Sequence, residues 1–332
     1  MFIECKRKES FVTLSFTMYK NKGITLMMKY YLAPLEGITG YVYRNTLNRH
    51  FPYTDKYFAP FLQPGCNRLF LEKEVRDILP ENNKGLNLVP QVLTKNSDDF
   101  KEAVVAISKY GYEEINLNFG CPSGTVVSKN KGAGILKDLK QLDQFLDEIF
   151  SYKTDMKISV KTRIGYDDTE DFTEILNIYN KYPICELIIH PRLRSDFYNG
   201  LPRHEMYEYA VNNTVLALCF NGNVYSVDDA EKICEKFPDT ESIMCGRGVI
   251  SNPSLFREIK GGKHADKKEL KEFLEDLRDG YRSAGFDEHA ALCKLKEVWN
   301  YIEWQFPNNK KEVKRIKKAE SYMEYKAAVN QL

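Results

Sequence analysis

Glu113-Glu114-Ile115-Asn116-Leu117-Asn118-Phe119-Gly120-Cys121-Pro122 alternates polar and apolar residues and then breaks. The period of two predicts a strand over 113–118. Gly120 and Pro122 stop it, so Cys121 falls in the loop just past the strand's carboxyl end. In a parallel α/β protein that position faces the active site. A thiol there can donate a proton, attack as a nucleophile or ligate a metal.

Outward from this strand, the same reading finds seven more, at 30–34, 57–62, 87–93, 157–163, 186–190, 215–221 and 242–246. Most are rich in Ile, Leu, Val or Tyr, as strands buried on both faces should be. Helical spacing fills the intervals at 40–50, 68–78, 97–110, 136–151, 169–181, 203–212, 226–236 and 253–260. Asn96-Ser97-Asp98-Asp99 and Ser226-Val227-Asp228-Asp229 read as helix starts, with a capping side chain and acids in the first turn. Eight alternations over about 230 residues predict an α/β fold of the (β/α)8 TIM-barrel type. The rival doubly wound sheet usually carries Gly-x-Gly-x-x-Gly after its first strand. Pro34-Leu35-Glu36-Gly37 stands there instead.

After Gly261-Gly262 the strand candidates end, and 265–329 carries helical patterns interrupted only by Pro307. The expected organisation is a barrel domain over 29–262 and a small all-helical domain over 263–332. Residues 1–28 are expected to be an extension outside the fold, because Met27-Met28 directly precedes the first strand. The apolar stretch after Lys6-Arg7-Lys8 is too short and too polar for a secretory signal. No segment approaches the length of a membrane span.

Of 332 residues, 43% are hydrophobic and 29% charged, enough for a full-sized core, and the net charge is +1. Any nucleic-acid contact must therefore come from local clustering. The eight cysteines form no C-x-x-C pair and no ligand-like spacing, so neither a zinc site nor a disulfide framework is expected, and a reducing cytoplasm is. One cluster stands out: Lys310, Lys311, Lys314, Arg315, Lys317 and Lys318 fill six of nine consecutive positions, opposed only by Glu312. It reads either as a solvated helix face or as a contact to a phosphate backbone.

The strand ends carry the chemistry. They present Ala33-Pro34-Leu35, Gln91, Asn116, Asn118, Cys121, Lys161, Arg163, His190, Arg192, Asn221-Gly222-Asn223 and Gly246-Arg247-Gly248. So many polar groups on one rim point to a shared ligand. The glycine-rich loops after strands seven and eight, with Arg247, suit a phosphate. Gln91, Asn118, Lys161 and His190 suit the rim of a heteroaromatic such as an isoalloxazine, where Lys161 would stabilise the charge of the reduced ring. Carboxylates are absent from these ends, which argues against glycoside hydrolysis and metal-assisted chemistry.

These residues resemble the tRNA-dihydrouridine synthases over about 29–330. The likeness rests on Leu32-Ala33-Pro34-Leu35-Glu36-Gly37-Ile38-Thr39, Asn116-x-Asn118-x-Gly120-Cys121-Pro122, Lys131-Gly132-Ala133-Gly134 and Val160-Lys161-Thr162-Arg163-Ile164-Gly165. Ile189-His190-Pro191-Arg192, Phe220-Asn221-Gly222-Asn223 and Met244-Cys245-Gly246-Arg247-Gly248 complete it, in order. The resemblance implies FMN as cofactor, NADPH as reductant and reduction of the C5–C6 double bond of particular uridines in tRNA. It makes Cys121 the general acid that protonates C5 while hydride from the flavin reaches C6. An ordinary thiol pKa of about 8.5 leaves that proton in place at neutral pH.

By the same resemblance Asn118 and Arg163 hold the uracil, and Tyr198 stacks near it, although a packing role suits Tyr198 equally. Ala33, Pro34, Leu35, Gln91, Lys161, His190, Asn221, Gly222, Asn223, Gly246 and Arg247 become flavin ligands. The Lys310–Lys318 run becomes an RNA contact, needed because swinging a base out costs a few kcal/mol. A monomer is expected. The chain departs from the family at Pro191, where glycine is common, and at Asn223, which can replace glycine in a left-handed turn. Two other readings stay open: an FMN barrel acting on a free pyrimidine, as dihydroorotate dehydrogenases do, and an RNA-binding protein that keeps flavin without turnover. The target uridine is not legible, and ribosomal RNA stays open as a substrate.

Overall fold

The structure is a computed structural model that describes the backbone of residues 18–21 and 24–27 and the whole of 28–65 and 68–332. Most of the expected N-terminal extension lies outside the described residues, as do Cys5 and Cys66. Met18–Asn21 pairs antiparallel with Ile24–Met27. Met28 is buried in the main core, so the packed barrel begins with it.

All eight expected barrel strands form: β1 (Lys29–Leu32), β2 (Lys56–Phe58), β3 (Leu88–Val89 and Gln91–Val92), β4 (Glu114–Phe119), β5 (Lys157–Arg163), β6 (Leu187–His190), β7 (Leu218–Asn221) and β8 (Ser242–Cys245). Every neighbouring pair in the barrel is parallel, and β8 returns to pair with β1. The expected strand 87–93 is broken at Pro90, which has no N–H to give to a ladder. Leu88–Val89 pairs with β2, and Gln91–Val92 pairs with β4. The two ends of the sheet are thus consecutive stretches of chain, and the ring closes through Pro90.

The eight helices expected between strands are present with shifted ends, for example Ser97–Ser108, Leu139–Phe150 and Val227–Lys236. Asn96 accepts from the N–H groups of Asp98 and Asp99, and Ser226 forms a reciprocal cap with Asp229. Both satisfy donors that a helix start leaves unpaired. The strand pleat then separates two environments. Ile115, Leu117 and Phe119 of β4 join the outer core beneath the helices. Tyr31, Ala33, Phe58, Val89, Ile188, Cys219 and Met244 fill the barrel interior. At the amino-terminal end of the barrel, Lys56 bonds Glu114 (2.9 Å) and Glu186 (3.1 Å), and Glu186 also accepts from Tyr31 and Ser242.

Four helices follow the barrel: Lys267–Ser283, Glu288–Ile302, Lys310–Lys318 and Tyr322–Val329. Phe273, Leu277, Leu295, Trp299, Ile316 and Tyr325 form their core, continuous with the barrel's outer one. Trp299 donates its indole N–H to the Tyr325 hydroxyl (3.0 Å). The first of these helices lies against the barrel helix Tyr41–His50, where Phe273 meets Tyr43 edge-on. A Cβ at Gly280 would come within 2.8 Å of Val42, so glycine is what allows this approach. Lys294 also donates to the Gly37 carbonyl (2.8 Å), and Gln305 to that of Ser251 (2.9 Å). No helix among the described residues is long and apolar enough to cross a membrane.

Candidate active site

A cavity of about 310 Å³ opens at the carboxyl ends of the strands. Its walls contain Cys121, Asn118, Arg163, Tyr198, Ala33, Pro34, Leu35, Gln91, Lys161, His190, Asn221, Gly222, Gly246 and Arg247. Of the residues placed by sequence at cofactor and substrate, Asn223 alone does not line it. Asn223 stands behind the wall, where its Oδ1 accepts from both Arg192 and Arg247 at 3.2 Å. It does not use the left-handed conformation anticipated for it: non-glycine residues with positive φ are Asn130 and Phe197 among the described residues.

The inward side chains of β3, β4 and β5 form a ladder of neutral hydrogen bonds. Asn116 donates to Ser159, Gln91 to Asn116, and Asn118 to Gln91, each at 2.8 Å. The carbonyl oxygen of Asn118 then accepts the backbone N–H groups of Gly120 (3.0 Å) and Cys121 (2.9 Å). Both acceptor positions of that oxygen are used, and one amide N–H of Asn118 remains for a ligand. Asn118 therefore builds the Cys121 loop, which the expectation of a uracil contact alone did not foresee.

The loop is clamped from its other side. Residues 132–137 form a 3-10 helix that the sequence reading missed. Ala133 donates to the Cys121 carbonyl (3.0 Å). Gly132 has φ +58°, and a Cβ there would come within 2.8 Å of the same oxygen and 3.0 Å of the Cys121 Cβ. Only glycine fits this approach without strain. Burial pushes the half-buried Cys121 thiol up from its ordinary pKa, against the downward pull of the Ser123 backbone, Arg163 and Lys161. The thiol is protonated at neutral pH.

Positive groups dominate the opposite arc. Lys161 opens to the cavity but not to bulk water, and burial, aided by Arg163, draws its pKa down to about 8. Its ammonium has no carboxylate or hydrogen-bond partner among the described residues. Arg163 is spent largely on structure: it donates to the carbonyls of Gly120 (2.9 Å), Leu193 (2.7 Å) and Phe197 (2.7 Å). These three bonds join the loops after β4 and β6, and two N–H groups remain. Burial lowers its pKa to about 10.

His190 is neutral, because burial and the nearby Arg163 and Lys161 hold its pKa well below the usual imidazole value. Arg192 lies 2.8 Å from its Nε2. Arginine can only donate, so Nε2 accepts, and the remaining proton sits on Nδ1. Tyr198 lies between two cations, with the Arg247 guanidinium 4.7 Å and that of Arg163 5.5 Å from its ring centre.

The unpaired Lys161 amine is the best test of what the cavity accepts. A buried ammonium without a partner is costly, and an acceptor edge able to carry negative charge would relieve that cost. With N–H donors from His190, Gln91 and Asn118 beside it, the donor set fits the polar edge of an isoalloxazine. The glycines have another role: a Cβ at Gly222 would strike the Phe220 ring (2.8 Å), and one at Gly246 would meet Leu35 (3.0 Å). They are required by packing, whatever binds in front of them.

Sequence reasoning missed Pro60 and Phe61, since β2 ends without a polar signal, Tyr301, which reaches the cavity from the helical segment, and Glu36, a carboxylate in the loop after β1 where none was expected. The Lys310–Lys318 helix lies elsewhere. Val313 and Ile316 seat it in the helical core, leaving Lys310, Lys311, Lys314, Arg315 and Lys318 exposed. Lys317 is paired with Glu303 (3.2 Å), and Arg315 bonds Gln331 (2.7 Å). No group of His, Cys, Asp and Glu able to hold a metal occurs among the described residues.

A cavity walled by polar groups at the carboxyl-terminal rim of a closed parallel barrel is the arrangement of the (β/α)8-barrel enzymes. The solved structure of morphinone reductase shares the fold, with TM-score 0.52 at 10% identity over 76% of this chain and 91% of that one. The family model for dihydrouridine synthase (Dus) matches residues 31–331, and the chain belongs to that family. Its relatives include tRNA-dihydrouridine synthase B of Pasteurella multocida, 24% identical over 85% of this chain and 86% of that protein. The tRNA-dihydrouridine(16) synthase of Pseudomonas putida is 28% identical over 83% and 82%.

Proposed function

We propose that this protein is a flavin-dependent tRNA-dihydrouridine synthase that uses FMN and NADPH to reduce the C5–C6 double bond of uridine in tRNA. The observation that carries this reading is the sharing of one cavity by a protonated thiol, Cys121, and an unpaired amine, Lys161. The names of the relatives support tRNA as the substrate. FMN, when bound, would supply a hydride for uracil C6. Cys121 gives its proton to C5, so one hydride and one proton saturate the double bond. Arg163 and Lys161, which favour the charged thiol, stabilise the thiolate until solvent returns the proton.

Lys161, Gln91 and the Nδ1–H of His190 would hold the polar edge of the flavin. Arg247, with the Asn221-Gly222 and Gly246 loops, would hold its phosphate, and Ala33, Pro34 and Leu35 would border the ring. The free N–H groups of Asn118 and Arg163 suit the two carbonyls of uracil. Exposed cations on the Lys310–Lys318 helix offer phosphate contacts. A free pyrimidine would have no use for them, which disfavours a reductase of small substrates.

The test is dihydrouridine mapping across cellular tRNA and ribosomal RNA with and without this protein. Restoring the gene should restore the lost site, whereas Cys121→Ala should bind FMN but leave the site unmodified. Removal of Cys121 should cost 10²–10⁴-fold, roughly the worth of a positioned general acid. Unchanged RNA in the deleted strain would overturn the assignment.

A further inference from the structure

Tyr301 is the one residue from beyond the barrel that lines the cavity among the described residues. It sits near the end of helix Glu288–Ile302, between buried Trp299 and Ile302. That helix is fixed to the segments that follow the neighbouring strands β1 and β8, by Lys294 on the Gly37 carbonyl and by Gln305, just beyond it, on that of Ser251. The ring is therefore held in place before any ligand arrives.

Two more tyrosines gather nearby. Tyr198 and Tyr225 are 51% and 40% exposed, although large aromatic rings are usually buried. The Arg247 guanidinium lies 4.7 Å from the ring centre of the first and 5.9 Å from that of the second. The Tyr301 hydroxyl feels Tyr198, Arg247 and Tyr225 together, and no hydrogen bond engages it among the described residues. Aromatic faces left open around a cation at a cavity mouth are the elements with which proteins stack unpaired bases.

We infer that Tyr301, with Tyr225, forms a stacking platform for a nucleotide flanking the uridine whose base enters the cavity. This inference rests on the proposed reaction and adds to it a reason for choosing polynucleotide over free nucleoside. A lone base fills the inner cavity and leaves the mouth untouched. A strand entering with one base turned inward must place its neighbours at the mouth, where stacking offsets the cost of unstacking them. The helical segment thereby contributes to the site itself, besides offering a basic surface.

The experiment compares full-length protein with Tyr301→Ala, Tyr301→Leu and Tyr301→Phe. It measures binding of an unmodified tRNA transcript by fluorescence anisotropy, and KM and kcat for dihydrouridine formation. Stacking predicts that Ala and Leu weaken binding and raise KM by about tenfold or more, with kcat changed far less. Phe should restore both values to within about twofold, since it keeps the face and loses only the hydroxyl. Equal binding and KM in wild type and Ala would overturn the platform while leaving the reaction assigned. Phe as impaired as Ala, or an effect confined to kcat, would also overturn it. A wild-type protein that forms no dihydrouridine in any RNA would overturn both readings.

Discussion

The Asn118 Oδ1 accepts the backbone N–H of Cys121 at 2.9 Å, so the residue before the loop fixes the residue that carries the thiol. The same oxygen holds Gly120, and one of the two amide N–H groups is spent on Gln91.

Asn118→Ala should therefore damage stability and catalysis together. It leaves two backbone N–H groups and the Gln91 oxygen without partners, at a cost of about 1–3 kcal/mol for each group that water cannot reach. Chemical denaturation should show that loss, and dihydrouridine formation should fall at least as far as in Cys121→Ala. Asn118→Asp keeps the acceptor and should recover much of the stability. It also places a negative charge beside the thiol, raising its pKa further and keeping activity low. Full activity in Asn118→Ala would remove this residue from the positioning of Cys121.

Lys161 predicts a pH effect whose sign differs between stability and binding. Its folded pKa is lowered to about 8 from the ordinary 10.5. Between those values the unfolded chain holds a proton that the folded, flavin-free protein does not. Stability from this residue therefore rises with pH through that window. Denaturation of the apoprotein at pH 7.5 and 9.5 should show wild type gaining on Lys161→Met. Affinity for FMN should move the other way, falling above pH 8 in wild type and staying flat in the variant.

Gly132→Ala tests the clamp on the far side of the loop. The substitution combines a left-handed backbone with a Cβ 2.8 Å from the Cys121 carbonyl. Strain of about 1–3 kcal/mol is expected, with a lower Tm and a displaced thiol. Gly200→Ala serves as the comparison: its φ is also positive, at +66°, but nothing lies within 4 Å of a Cβ there. It should share the backbone strain without the displacement, so iodoacetamide labelling of Cys121 should change in the first variant and not in the second.

The basic helix predicts a difference among lysines. Lys314 is exposed, whereas Lys317 is paired with Glu303. Lys314→Ala should weaken tRNA binding and lower the salt slope by about one, as loss of a phosphate contact does. Lys317→Ala should do less, because its partner already competes for the charge. Identical salt slopes for both variants and wild type would move the RNA surface elsewhere.

Much of this was legible because barrel strands and their ends obey local rules. The Cys121 loop, the Lys161 amine and His190 each follow a short apolar run, and periodicity locates such runs. The break in β3 was present in the sequence as Pro90, but the run 87–93 reads as continuous when apolarity alone is followed. Asn223 was placed at the cavity by its motif, and tertiary packing turned it behind the wall to bridge two arginines. Tyr301 had no local signal: nothing near it in sequence is chemical, and only helix docking brings it to the mouth. Asn118 lines the cavity at the strand end where its spacing put it, but its bonds to Gly120 and Cys121 depend on a turn geometry that spacing does not specify.

Pro90 gives the closed sheet one property that a ladder could not. Elsewhere, neighbouring strands could in principle slide by a residue, and such a slip would turn every side chain to the opposite face. Between the two halves of β3 no slip is possible, because they are joined by chain. Gln91, the first residue beyond that joint, thus keeps its orientation by covalent connection, and the amide ladder that ends at the thiol passes through a point that cannot fall out of step.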